Sequence, residues 1–267
     1  MEILKSWIDL FLGGFLIEIL IFTIKFYKMS KGFIAEGEKY IQEENFIEAV
    51  TIDCVVFGFN EGKMEVLLVK HAEGISKDKW GLPGGWITEK ESIDDSAKRV
   101  LRDLTGLDNI FLEQLQAFGE PNRFPASRVI TIGYYALVKS EDYEIAAGFT
   151  ASEAKWFLVE ALPELIYDHK MIFEAAQEKL RNRVRQAPIG FNLLPEKFTL
   201  LELMHLYEEI LDVKMDKPNF RRKFLKMKLL VDIGEKQKDV SHRAAKLYSF
   251  DEEVYQKLTK KGFTFEF

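Results

Sequence analysis

The alternation of apolar and polar positions predicts strands in the first half of the chain. Five short runs rich in β-branched and aromatic residues are typical of strands and lie at residues 48–59, 64–70, 111–118, 128–138 and 155–159. The sequence N-E-G at 60–62 favours a tight turn between the first two runs. Residues 169–183 have the apolar spacing of a helix, so strands and helices are mixed in one domain.

A glycine-rich loop and a helix are predicted between these strands. The loop has the sequence W-G-L-P-G-G at 80–85, and its adjacent glycines allow the backbone to approach a ligand closely. Apolar residues then recur with the period of an amphipathic helix, at Ile93, Ala97, Val100, Leu101 and Leu104. Gly106 is a suitable C-terminal signal for this helix. Taken alone, the pattern describes an ordinary surface helix.

The last third of the chain has a helix–helix–hairpin order. A helix is predicted at 198–211, where Thr199 and Glu202 have the spacing of a capping box. A second helix is predicted from about Pro218, which suits a first helical turn. Its predicted buried side consists of Phe220, Phe224, Leu225 and Met227. Residues 231–250 then alternate strand, polar loop and strand, so this part is predicted to be a winged helix-turn-helix domain.

The charge distribution sets the same region apart. The sequence has 267 residues and a net charge of −6, but residues 217–246 contain ten Lys/Arg and three Asp/Glu. That segment carries +7 and the remainder carries −13. A basic module on an acidic body indicates an interaction with nucleic acid. A solvated basic face that binds nothing is the alternative.

We expect the second helix of this module to enter the major groove of DNA. Asn219, Arg221 and Arg222 near its start are the candidates for base contacts. Further DNA-binding candidates, mostly for phosphate contacts, are Lys217, Lys223, Lys226, Lys236, Lys238, His242 and Arg243.

Residues 85–107 resemble a Nudix box, the motif G-x5-E-x7-R-E-U-x-E-E-x-G-U, in which U is aliphatic. The matching residues are Gly85, Glu91, Arg99, Leu101, Gly106 and Leu107. The chain departs from the motif at three glutamate positions, occupied here by Val100, Asp103 and Leu104. Mg²⁺ requires hard oxygen ligands, so we expect no catalytic residues, no bound metal and no cofactor. The alternative is a Mg²⁺-dependent Nudix hydrolase of a nucleoside diphosphate derivative such as ADP-ribose.

Nearly the whole stretch from residue 48 to about 258 resembles the Nudix-related transcriptional regulators of the NrtR type and their sugar-responsive AraR-type relatives. The resemblance is carried by residues 80–85, 97–107, 112–119, 128–138, 188–195 and 217–223. It implies an α+β architecture, a Nudix α/β/α sandwich followed by a winged helix-turn-helix domain. It also implies a homodimer that binds operator DNA and responds to ADP-ribose or to a sugar. Loss of the metal-binding carboxylates favours a sugar or sugar derivative.

The candidate effector-binding residues lie in two loops. They are Trp80, Gly84, Gly85, Arg123, Phe124 and Arg128. The sequence R-F-P-A-S-R at 123–128 stands where NrtR-like proteins typically carry an R-D-P-R-type loop. The two arginines can hold a phosphate in bidentate fashion, and the phenylalanine can stack on a base or a sugar. A structural role for Arg128, at the start of a strand, is the alternative.

These patterns divide the chain into an N-terminal extension at 1–46, a Nudix-like effector domain at 47–186 and a winged-helix DNA-binding domain at 187–267. The extension contains an apolar segment, residues 7–27, that is interrupted by the central carboxylate of Glu18. We expect translation to begin at Met29, and a membrane anchor is the alternative. The expected location is the cytoplasm.

Overall fold

The computed structural model describes residues 49–148, 150–238, 244–263 and 265. The predicted N-terminal extension and two candidate DNA contacts, His242 and Arg243, lie outside these residues. None of the helices in the described ranges is long and apolar enough to cross a membrane.

Strands and helices follow the predicted order. The strands are β1 (Ala49–Asn60), β2 (Lys63–His71), β3 (Trp80–Gly81), β4 (Gly84–Trp86), β5 (Glu113–Phe118), β6 (Val129–Lys139), β7 (Ala151–Leu158), β8 (Phe198–Thr199), β9 (Leu230–Lys236) and β10 (Lys246–Phe250). The α-helices are α1 (Ile93–Thr105), α2 (His169–Gln186), α3 (Leu200–Leu211), α4 (Lys217–Met227) and α5 (Glu252–Thr259).

The first seven strands form one sheet with the order β3-β2-β1-β6-β5, in which β4 also pairs with β1 and β7 with β2. β1 and β2 are antiparallel, and Asn60 pairs with Lys63 at the end of the ladder. The two turn residues, Glu61 and Gly62, have φ values of 46° and 79°. Two positive φ angles in a two-residue turn match the twist of a hairpin, and the predicted hairpin is confirmed.

Alternate residues of β1 belong to two different apolar clusters. Ile52, Cys54 and Val56 lie in a cluster with Ala97 and Leu101 of α1. Val55 and Phe57, on the other face of β1, lie in a second cluster with Ile172, Phe173 and Ala176 of α2. Because β1 is buried on both faces, its sequence is almost continuously apolar. The predicted α/β/α sandwich is confirmed, with α1 and α2 on opposite sides of the sheet.

Local signals set the bounds of α1. The Ser92 side chain caps the helix by accepting a hydrogen bond from the Asp95 amide, and Gly106 ends it with a φ of 74°. The predicted apolar stripe is buried from Ala97 onward. Ile93 was wrongly placed in that stripe: it is the first residue of the helix and is 41% exposed.

The C-terminal domain has the predicted winged-helix order. It consists of helices α3 and α4 and a three-stranded sheet with the order β8-β10-β9. The capping box of Thr199 and Glu202 is present at the start of α3. On α4, Phe220 and Phe224 are buried, but Leu225 is 37% exposed. The prediction that Leu225 is buried was wrong. Leu225 lies about 100° around the helix from Phe224, so it does not share the buried face.

The winged helix packs directly on the Nudix-like domain. Leu180 and Val184 of α2 belong to the same apolar cluster as Leu206 and Tyr207 of α3. The backbone amide of Met64, just after the β1–β2 turn, also donates a hydrogen bond of 3.1 Å to the Glu209 carboxylate of α3. Apolar packing and a polar contact therefore both hold α3 in place.

Candidate effector site and DNA-binding surface

Glu91 and Arg99, the best-matched polar residues of the box, bind each other. Arg99 donates from Nε to Glu91 Oε2 at 2.8 Å and from Nη2 to Glu91 Oε1 at 2.7 Å. The same Nη2 donates to the Trp86 carbonyl, and the Thr88 amide donates to Glu91. The bonds from Arg99, and then the one from Thr88, hold the pKa of Glu91 far below its usual range. The pair ties the loop after β4 to α1, so the Glu91 carboxylate is engaged in structure.

The two aliphatic replacements in the box are part of the core. Val100 is 2% exposed and Leu104 is 9% exposed. Both cluster with Val69 of β2, and Ala151 and Ala154 of β7 pack against them. Hydrocarbon therefore occupies the positions where a divalent cation would need oxygen ligands.

The remaining carboxylates of α1 are also engaged. Asp103 lies 3.7 Å from Arg99 Nη1 and 3.6 Å from Arg102 Nε. Asp94 accepts a hydrogen bond from the hydroxyl of Tyr134. Among the residues that the structure describes, no group of three or more His, Cys, Asp and Glu could hold a metal ion.

The glycine pair before the box accommodates a buried carboxylate. Gly84 and Gly85 of β4 pair with Asp53 and Ile52 of β1. A Cβ atom at Gly84 would lie 2.2 Å from Asp53 Oδ1, so a side chain there would collide with the carboxylate. Asp53 itself is 5% exposed. The glycine at position 84 is therefore required by the contact between β4 and Asp53.

Asp53 belongs to a buried set of polar residues, here called the Arg123 network, which also contains Arg123, Asp168 and His169. Arg123 donates from Nε to Asp168 Oδ2 at 2.8 Å, and from Nη2 to Asp168 Oδ1 at 2.8 Å and Asp53 Oδ2 at 3.1 Å. The side chain of Arg123 is 5% exposed. The prediction that Arg123 binds an effector phosphate directly does not fit this geometry, because two carboxylates already neutralise the guanidinium.

His169 completes the network as a neutral ring. Its Nδ1 accepts a hydrogen bond of 2.9 Å from the Leu82 amide, and its Nε2 lies 3.6 Å from Asp53 Oδ1. Burial lowers the pKa of His169, and this outweighs the opposing effects of Asp53 and Asp168. The ring therefore keeps its proton on Nε2, facing Asp53.

Three aromatic side chains lie next to the Arg123 network, and we refer to them as the aromatic cluster: Trp86, Phe124 and Tyr167. The Phe124 ring centroid is 6.4 Å from that of Trp86 and 5.2 Å from that of Tyr167, edge to face in both cases. Trp86 is 52% exposed and Tyr167 is 38% exposed. Tyr167 also contacts the His169 ring and shares a hydrogen bond with the Ser76 hydroxyl. Exposed aromatic surface beside a buried charged network suits a flat, polar ligand.

The structure places Trp80 away from the aromatic cluster and Arg128 on the surface. The Trp80 ring packs edge to face on Phe157, with centroids 4.7 Å apart, and Lys155 Nζ lies 4.8 Å from the Trp80 ring centroid. Trp80 is therefore a packing residue of the sheet, outside the aromatic cluster. Arg128 is exposed, at the end of the loop that begins near Gly119.

The predicted DNA-binding residues that the structure describes are all exposed. They are Lys217, Asn219, Arg221, Arg222, Lys223, Lys226, Lys236 and Lys238. Arg222 Nη2 donates a hydrogen bond to Asn219 Oδ1, one turn earlier on α4. The Asp216 side chain caps α4 by accepting from the Asn219 amide at 3.1 Å. The start of α4 therefore holds Arg222 close to Asn219.

Two acidic residues of the wing are paired with lysines. Asp232 lies 2.6 Å from Lys246 Nζ, and Glu235 lies 2.7 Å from Lys197 Nζ. The hydrogen bonds from these lysines lower the pKa of both carboxylates. The lysine partner offsets the negative charge of each carboxylate. A paired carboxylate therefore reduces the attraction between the other wing lysines and phosphate less than an unpaired one would.

Sequence reasoning missed Asp53, Asp168 and His169 of the Arg123 network, and Trp86 and Tyr167 of the aromatic cluster. One signal was available, because Trp86 directly follows the glycine pair on which the motif depends. The D-H pair at 168–169 also begins a helix, where polar residues often cap or bind. The buried position of Arg123 had no such signal.

Two family models match the chain. The NUDIX domain matches residues 48–176, and the NrtR DNA-binding winged helix domain matches residues 190–250. The ADPR responsive transcriptional repressor NtrR of Acinetobacter baylyi is 30% identical over 205 residues, which cover 75% of this chain and 81% of that protein.

A second relative covers about half of the chain, and a solved structure covers most of it. ADP-ribose pyrophosphatase of Methanocaldococcus jannaschii is 30% identical over 126 residues, which cover 47% of this chain and 71% of that protein. Shewanella oneidensis NrtR, in a crystal structure with a 27mer DNA, is 28% identical with a TM-score of 0.62. That match covers 78% of this chain and 95% of the other, so it includes both domains.

Proposed function

The chain belongs to the NrtR family of Nudix-related transcriptional regulators, and we propose that it is a repressor whose Nudix domain binds ADP-ribose. Binding of this effector weakens the hold of the winged helix on operator DNA. One observation carries the proposal: a Nudix box with Val100 and Leu104 buried at glutamate positions is joined to an exposed basic α4.

The filled box supports binding without hydrolysis. Pyrophosphate cleavage by this fold needs a metal that polarises the phosphoryl oxygens and activates a water. The apolar cluster around Val100 and Leu104 supplies no ligand. Glu91 is bound by Arg99. An intact diphosphate can therefore stay bound as a signal.

The aromatic cluster is the proposed contact surface for the effector. Trp86, Phe124 and Tyr167 offer ring faces for the adenine or for the apolar face of a ribose. Arg128 is exposed and is the proposed ligand of the diphosphate. The relative from Acinetobacter baylyi responds to ADPR, which favours ADP-ribose over the simple sugar that the missing carboxylates suggested.

The winged helix supplies the proposed contact with DNA. Arg222, held by Asn219, reads a guanine in the major groove. The wing and α4 lysines neutralise phosphates. We propose a cytoplasmic homodimer bound to two half-sites, with the effector domain at 47–186 and the DNA-binding domain at 187–267.

The proposal is tested by calorimetric titration of the protein with ADP-ribose in the presence of EDTA. We expect binding to wild type, and a roughly 5- to 150-fold loss of affinity for Phe124→Ala, because stacking on an aromatic ring contributes about 1–3 kcal/mol. Phe111→Ala is the matched control, since Phe111 is 82% exposed and lies outside the aromatic cluster. No binding to wild type, or turnover of ADP-ribose with added Mg²⁺, would contradict the proposal and favour the hydrolase alternative.

A further inference from the structure

Helix α2 links the proposed effector site to the winged helix. It has 18 residues, which corresponds to a length of about 27 Å at 1.5 Å per residue. Its first residue, His169, belongs to the Arg123 network, and its last two turns pack against α3. A helix buried along one side moves as a rigid unit, so a shift at one end reaches the other.

The N-terminal end of α2 is held by the Arg123 network and not by its own cap. Asp168 occupies the capping position but makes no side-chain capping bond, because both of its oxygens accept hydrogen bonds from Arg123. The preceding residue, Tyr167, has a φ of 47°. This left-handed conformation is rare for a bulky side chain and is strained. An aromatic residue of the proposed effector site is thus held under strain directly before the helix.

The C-terminal end of α2 contacts the end of α3. Arg181 Nε donates a hydrogen bond of 3.3 Å to the Ile210 carbonyl in the last turn of α3. Arg181 Nη2 lies 3.5 Å from Asp212 Oδ2, in the residue that ends the helix. The Arg181 side chain is 30% exposed and the Asp212 side chain 84%. Arg181 therefore makes a polar contact between α2 and the end of α3, the helix that precedes α4.

We propose that α2 transmits the state of the effector site to the winged helix, with Arg181 as the positioning residue at its far end. The inference rests on the proposed function. An effector in contact with Tyr167 changes how Asp168 is held by Arg123. The first turn of α2 then shifts, and Arg181 passes the shift to the end of α3 and so changes the position of α4.

Loss of Arg181 should change the coupling between ADP-ribose and DNA without changing how tightly either one binds alone. Arg181 contacts neither the aromatic cluster nor the exposed face of α4, so its loss should leave each ligand's own affinity intact. By linkage, the factor by which ADP-ribose weakens DNA binding equals the factor by which DNA weakens ADP-ribose binding. Such factors are roughly 5- to 150-fold in allosteric proteins.

The experiment measures the operator dissociation constant, with and without saturating ADP-ribose, for wild type, Arg181→Gln and the control Arg185→Gln. Arg185 is exposed and lies one turn further along α2. ADP-ribose affinity without DNA is measured for all three. We expect wild type and Arg185→Gln to share one coupling factor. In Arg181→Gln that factor falls toward 1, to less than about half of its wild-type value, because the charged group that binds the Ile210 carbonyl and Asp212 is lost.

Each outcome decides a different point. An unchanged coupling factor in Arg181→Gln would overturn the proposal, and so would loss of operator binding by this variant without effector. Wild type that does not bind ADP-ribose would instead overturn the proposed function. Asp168→Asn provides a second test from the other end of α2, and it should also reduce coupling while the protein still binds operator DNA.

Discussion

Substitution of Val100 by glutamate tests whether the Nudix box has become part of the core. Val100 is 2% exposed and clusters with Val69 and Leu104. A Cβ atom at Gly85 would lie 3.1 Å from Val100 Cγ2, so β4 covers this side chain closely. A longer side chain at position 100 has little free space, and its carboxylate would be placed in hydrocarbon.

The expected loss of stability has two parts. Replacing the buried valine forfeits about 1.5–3 kcal/mol of apolar burial. Burial raises the pKa of the new carboxyl group above its ordinary value of about 4.3, and each unit of that shift costs about 1.4 kcal/mol at a pH above both values. We therefore expect Val100→Glu to lower the free energy of unfolding by about 3–5 kcal/mol at pH 8.

The assay is urea unfolding followed by circular dichroism at pH 5 and pH 8. A pKa raised in the folded state means that the unfolded chain binds fewer protons, so stability falls as pH rises through that interval. Val100→Gln, of the same size but uncharged, should show the packing loss without the additional loss at pH 8. Equal stability of Val100→Glu and wild type at both pH values would refute the reasoning. So would Mg²⁺-dependent hydrolysis of ADP-ribose by Val100→Glu/Leu104→Glu at wild-type stability.

Three further predictions concern the Arg123 network and α4. Arg123→Met should cost about 3–5 kcal/mol, because it leaves the Asp53 and Asp168 carboxylates buried without a partner; urea unfolding should show part of this recovered when both are changed to Asn. The lowered pKa of His169 means that stability is complete above about pH 6.5 and falls below it as the unfolded chain takes up a proton; unfolding titrations should show a weaker slope for His169→Gln. Arg222→Ala should weaken operator binding by about 1–3 kcal/mol and relax the preference at one base pair, measured by fluorescence anisotropy on operator variants.

Each of these has its own contrary outcome. Wild-type stability of Arg123→Met would mean that the carboxylates are hydrated. An unchanged slope in His169→Gln would assign the acid sensitivity to another group, of which His71 is the first candidate because burial also lowers its pKa. Equal weakening on every operator variant would make Arg222 a phosphate contact.

The elements that the sequence predicted are those that depend on near neighbours. The β1–β2 turn needs only Glu61 and Gly62, and the capping box needs only Thr199 and Glu202. The exposed basic side chains of α4 follow from helical spacing and from the charge of the segment. The resemblance to NrtR-type regulators rested on such local motifs, and the family was confirmed.

The Arg123 network could not be derived in the same way because its contacts join distant parts of the chain. Arg123 binds Asp53 and Asp168, which lie 70 and 45 residues away. Nothing in the sequence around Arg123 distinguishes a buried arginine from an exposed one that is available to bind a phosphate. Trp80 illustrates the converse, since a tryptophan before a glycine loop is as suitable for packing on Phe157 as for stacking on a ligand.

The most direct test of the account is a titration of fluorescent DNA from the gene's own upstream region with the protein, in the presence and absence of ADP-ribose. The account predicts binding that is tighter than to random DNA and weakens with salt, because lysines and arginines displace counterions from phosphates. ADP-ribose should raise the dissociation constant roughly 5- to 150-fold. A dissociation constant that ADP-ribose leaves unchanged, or no preference over random DNA, would contradict it.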